Sequence, residues 1–190
     1  VKYKLLGIKF AGAYPDQTDN ARKVAMYRFL TRKVLWRKLP MVLIAQLLEQ
    51  GVISKFVVYG VLLNTLTDKN LAKMDTLMAI LGKNSMGLPV SAPRGTPFAP
   101  KNSYGAGMPS AVTHFIAGTA RELHVLLNQK GYLGILARNA VVYAVENTDR
   151  LGESALKNSI IVAAVNRLSR WGIQCSCALE PLVSRMRDEF

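Results

Sequence analysis

Seven basic residues fall between positions 22 and 38: Arg22, Lys23, Arg28, Arg32, Lys33, Arg37 and Lys38. Their chemistry is that of phosphate binding. The guanidinium of arginine is a planar fork that bonds phosphate oxygens in pairs, and it stays charged across the working pH range. Tyr27, Phe29 and Trp36 are interleaved with them. The aromatics have two readings, as stacking surfaces for bases or as core anchors of a helix with a solvated charged side. Phosphate contact is favoured for the arginines and core packing for the aromatics. Arg94, Lys101 and Arg121 extend the candidate nucleic-acid-binding set.

Other chemistry is thinly represented. The chain has no phosphate-binding glycine loop ending in Gly-Lys-Ser/Thr, no dinucleotide fingerprint, no nucleophile elbow and no paired-histidine zinc helix. His114 and His124 stand ten residues apart, and the twelve acids are scattered. A two-metal nuclease needs several carboxylates converging on one cleft. Cys175 and Cys177 are too close in sequence for an ordinary disulfide, and the histidines lack zinc-ligand spacing to them. The expectation is a non-enzymatic protein without metal or cofactor, held in a reducing intracellular compartment or a virion.

The net charge is +13, from 25 Lys and Arg against 12 Asp and Glu. It is uneven: residues 1–40 carry +8, 41–90 carry +1, 91–130 carry +3 and 131–190 carry +1. Half of the residues are nonetheless apolar. A basic chain this apolar has more hydrophobic surface than a 190-residue domain readily buries. That combination points to a subunit of a larger assembly with a polyanionic partner. The most apolar region, Met41 to Leu66, is broken by Glu49, Gly51 and Lys55. It lacks the ~20 unbroken apolar residues of a bilayer span, so no membrane span is expected. No secretory leader pattern or N-glycosylation sequon is visible.

The elements that must position these residues are mostly helices. Val1 to Tyr14 reads as an edge strand or extended arm, and Asn20 to Leu39 as a first helix whose basic residues do not collect on one clean face. Pro40 opens a second helix that Gly51 should stop, and Ser54 can cap a third to Leu66, with a strand as the alternative there. Leu43 to Asn64 also fits a helix-turn-helix offering Lys55, Tyr59 and Asn64 to a groove, but it is poor in polar residues for that role. Thr67 or Asp68 caps a helix carrying Leu71, Met74, Met78 and Leu81 on one face and closing at Gly82. Further helices are expected from Ser110 or Thr113 to Gln129, from Tyr132 to Val145, from Ser154 to Trp171 before Gly172, and over Leu182 to Asp188.

Between them lies Gly82 to Ser110. It holds five of the eight prolines, five glycines and no acid. Proline at this density forbids helix, and a loop this long is usually functional. The fold expected is mainly α: a helical bundle of two lobes joined by a long Pro/Gly-rich ordered arm, with a short N-terminal strand as an option. The divisions are 1–81 (a basic N-terminal lobe), 82–110 (the arm) and 111–190 (a C-terminal lobe), sharing one core.

These features predict a structural protein that packages RNA or single-stranded DNA, with RNA favoured, in a multi-subunit assembly such as a nucleoprotein or coat. It would neutralise phosphates without reading bases. The arm and terminal segments would tie copies into a homo-oligomer. Two alternatives remain: a subunit of a fixed ribonucleoprotein machine, such as an organellar ribosome or a CRISPR-like effector, and an adaptor for acidic protein or lipid surfaces.

Overall fold

A computed structural model describes residues 2–5, 8–11, 14–15, 19–36, 39–58, 61, 66–146 and 160–174. Arg37, Lys38, the turn expected at Asn147 to Gly152, the cysteine pair and the expected C-terminal helix lie outside these residues, as does the start of the helix expected from Ser154. The protein is mainly α-helical. Three short strands, β1 (Lys2–Leu5), β2 (Ile8–Ala11) and β3 (Tyr14–Pro15), form an antiparallel meander. Tyr3 faces Phe10 in its register and Ala11 faces Tyr14.

Helix α1 (Asp19–Trp36) and helix α2 (Met41–Gln46) follow. Pro40 stands at the α2 cap rather than inside it, and its carbonyl accepts the Ile44 amide at 3.1 Å. The expected stop at Gly51 is absent. The helix runs on through it as a wider π-type helix over Leu47–Val58. Leu48, Val52, Ile53 and Val57 are all buried along this stretch, and their four-to-five-residue recurrence suits the wider winding. Each such burial is worth roughly 1.5–3 kcal/mol. An interior glycine costs about 1 kcal/mol, so burial wins. With no turn at Gly51, the helix-turn-helix alternative falls.

Helix α3 (Asp68–Ser85) is capped as its sequence suggests. The Thr67 hydroxyl accepts the Asn70 amide at 3.3 Å, and Leu71, Met74, Met78 and Leu81 are buried. It does not close at Gly82. It ends one turn later in paired bonds from Leu88 N to the Lys83 carbonyl and from Gly87 N to the Asn84 carbonyl. Gly87 at φ +66° supplies the left-handed residue that this ending requires. Gly82 serves packing instead. A Cβ there would sit 2.5 Å from Cβ of Pro97.

The segment from 86 to 110 is free of α-helix, with two short 3-10 turns at Thr96–Phe98 and Lys101–Ser103. It lies along α3. Arg94 donates to the Ala72 carbonyl at 2.8 Å and to the Thr76 hydroxyl, and Lys83 Nζ donates to the Val90 carbonyl at 2.9 Å. Ala106 and Met108 are buried in the same core as Tyr27, Leu48, Met74 and Phe115. Helix α4 (Ala111–Asn128), helix α5 (Tyr132–Glu146) and helix α6 (Ile160–Arg170) follow among the described residues.

The chain divides into two compact units, Val1–Gly118 and Thr119–Phe190, with the division inside α4. In the second unit Leu123, Leu127, Ala137, Val162 and Leu168 are buried. Arg138 donates to the Leu127 carbonyl at 2.6 Å and the Gln129 carbonyl at 3.1 Å. It thus places a cation on the unpaired carbonyls at the α4 C-terminus. No helix among the described residues is long and apolar enough to cross a membrane.

Candidate nucleic-acid interface

The core decides which arc of α1 faces outward. Tyr27 and Thr31 are fully buried, and Val24, Leu30 and Val34 pack beside them. Thr31 Oγ1 donates to the Tyr27 carbonyl at 2.8 Å, which satisfies a polar group that the core would otherwise strand. Arg22, Ala25, Met26, Arg28, Phe29, Arg32 and Lys33 are exposed. At 3.6 residues per turn these occupy one continuous arc of roughly 160°. The basic residues therefore do share a face, although sequence spacing alone spreads them around the circumference.

Within that arc are four cations and no acid. Among the described residues, Arg22, Arg28 and Arg32 make no side-chain hydrogen bond or ion pair. Lys33 Nζ lies 4.5 Å from the centre of the Phe29 ring. From Arg22 to Lys33 the helix rises about 16 Å, long enough to meet several phosphates of one strand. Lys23 sits half-buried on the packed flank and is engaged there.

The remaining predicted residues are not gathered with these. Arg94 is exposed, but its guanidinium already serves α3, so a phosphate would have to compete with those bonds. Lys101 is exposed, with its stem against the backbone at Gly107. Arg121 is exposed on the second unit.

Phe29 is 52 % exposed, which overturns the expectation that it anchors the core. Tyr27 fulfils that expectation. Its hydroxyl is buried without a hydrogen-bond partner among the described residues. Burial, and secondarily the charge of Asp75, hold its ionisation well above the usual tyrosine range. The signal for Phe29 was present in its four-residue spacing from Lys33, which pairs side chains on one helical face.

A cleft beside the α4 N-terminus is lined by Glu49, Phe98, Pro100, Met108, Thr113 and His114, among others. It combines one carboxylate and one imidazole with an apolar floor, and none of the predicted phosphate ligands reaches it. Tyr104 stands 94 % exposed with left-handed backbone, φ +58°. On α5, Tyr132, Leu133, Leu136 and Tyr143 are exposed. Comparison with protein-family models, curated proteins and solved structures finds no match to this chain.

Proposed function

We propose that the protein is a non-enzymatic structural subunit that packages RNA or single-stranded DNA in a multi-subunit assembly, through phosphate contacts that do not depend on sequence. The observation that carries this reading is the outer arc of α1, where Arg22, Arg28, Arg32 and Lys33 are exposed with no acid among them. Like charges held this close favour a polyanion, and release of its counterions drives binding. The exposed Tyr132, Leu133, Leu136 and Tyr143 support association between copies. The two-lobe organisation belongs to this proposal, and the bonds from residues 83 and 94 support attaching the central segment to the first lobe.

The test replaces Arg22, Arg28, Arg32 and Lys33 together with glutamine. Protein purified at low salt is followed by light scattering and the ultraviolet absorbance ratio, before and after nuclease. Wild type should form nucleic-acid-rich particles that shrink on digestion. The variant should lose the polymer and keep its helical circular dichroism. Unchanged polymer content in a folded variant would end the proposal.

A second reading, a subunit of a fixed ribonucleoprotein machine, is favoured by one observation. The central segment closes on its own α3. On that reading the isolated protein is a monomer that does not polymerise on arbitrary RNA.

A further inference from the structure

Phe29 lies in the middle of the α1 outer arc, with Arg28 and Arg32 on one flank and Arg22 and Lys33 on the other. Pairing within the helix does not account for its position. A cation–π contact at an exposed site contributes less than burying the ring would give. An apolar protein partner fits poorly as well. Covering the ring with another protein would strip water from the surrounding cations, and unpaired buried charge is strongly unfavourable. A nucleotide strand suits both kinds of group at once. A base offers a flat face to the ring, and the adjoining phosphates meet the cations. Duplex does not, because its base faces are stacked on each other.

We infer that Phe29 is a base-stacking platform and that the α1 outer arc takes a single strand in preference to duplex. This rests on the phosphate-binding reading above. Lys33, with its ammonium 4.5 Å from the ring centre, covers one side of the ring and leaves the other to a base. Arg28 and Arg32, one turn apart on the same flank, serve successive phosphates. Base identity is not read, since every base has a π-face.

The experiment is a fluorescence-anisotropy titration with three labelled probes of about twelve nucleotides, a length within the usual single-strand site size. They are an oligouridylate, a strand of the same charge carrying abasic sites, and an RNA duplex. Phe29→Ala should weaken the oligouridylate roughly 5- to 100-fold, leave the abasic strand unchanged and leave the salt slope unchanged. Phe29→Trp should restore binding. The ring is exposed, and circular dichroism will show both variants folded. Equal affinity of Phe29→Ala and wild type for oligouridylate, an equal loss on the abasic strand, or tighter wild-type binding of duplex than of the single strand would each overturn the inference. The two ideas fail separately. If the four-glutamine variant binds all probes like wild type, the phosphate reading is lost. If that variant loses binding and Phe29→Ala does not, only the stacking role is lost.

Discussion

The backbone amide of Ala111, the first residue of α4, donates to Oδ1 of Asp75 on α3 at 2.6 Å. The other oxygen of the same carboxylate accepts the Ser110 hydroxyl at 2.8 Å, and Ser110 Oγ in turn accepts the Thr113 amide at 3.1 Å. One buried acid thus satisfies the start of a helix that lies 36 residues further along the chain. Asp75→Ala would leave these donors unpaired in a buried place, and we expect a loss of about 1–3 kcal/mol. Asp75→Asn keeps one acceptor and should lose less. Urea denaturation midpoints of the three proteins, at equal m-values, decide it; an Asp75→Ala protein as stable as wild type would mean that the bond is energetically idle.

Two glycines on helices should respond to alanine in opposite directions. Gly82→Ala places a Cβ against Pro97, and overpacking of this kind costs roughly 1–3 kcal/mol. Gly51 has nothing within 4 Å of the same position, so Gly51→Ala should stabilise by about 0.5–1 kcal/mol through helix propensity. Thermal melts of both variants, run side by side, test the contrast. Melting points that move the same way would contradict it.

Tyr27 gives an alkaline signature. Its folded-state ionisation is raised, by burial first and by the Asp75 charge second. Its contribution is therefore complete below the unfolded tyrosine value of about 10 and falls as pH climbs past it. The slope should approach 1.4 kcal/mol per pH unit for one proton. Tyr27→Phe should remove that limb, and it also removes a buried hydroxyl without a partner. Denaturant midpoints measured from neutral pH to strongly alkaline pH should decline less steeply in Tyr27→Phe. Superimposable curves would refute the assignment.

Arg94 clasps the central segment to α3. Arg94→Ala should loosen it without unfolding the core, so amide exchange should quicken at Ala92, Thr96 and Phe98, which bond only within the segment, to Pro89, Pro93 and Gly95. Amides of the α3 interior should keep their protection. Identical exchange in the variant would show that the remaining attachments, the Lys83 bond to Val90 and the packing of Pro97 and Met108, hold the segment without Arg94.

Much of the helical framework was legible because its signals are local. Thr67 and Ser110 cap helices through bonds three residues long, and Gly172, at φ +76°, ends α6 with the Ile173 amide on the Leu168 carbonyl. The same residue type misled elsewhere. Gly51 and Gly82 look like stops, yet one is carried through by the burial around it and the other is a packing notch, and neither fact is encoded nearby. The binding face was half legible. The basic residues could be counted, but which arc of α1 turns outward depends on what packs against Tyr27 and Thr31. That partner comes from α3 and the π-type helix. Arg94 reads as a free cation in sequence because its partners, 18 and 22 residues away, form no motif.

The segment that follows α3 begins and ends on that one helix, held near residue 94 at Ala72 and Thr76 and near residue 110 at Asp75. Val90, Ser91, Pro93, Arg94 and Gly95, at and just before the first of these anchorages, are exposed, which makes them the natural place for proteolytic nicking. A chain cut there would not come apart. After a cut between Val90 and Arg94, the end carrying Arg94 would stay seated on residues 72–76 of α3 and the end carrying Val90 on Lys83, and the two fragments would behave as a non-covalent complex able to reassociate after separation.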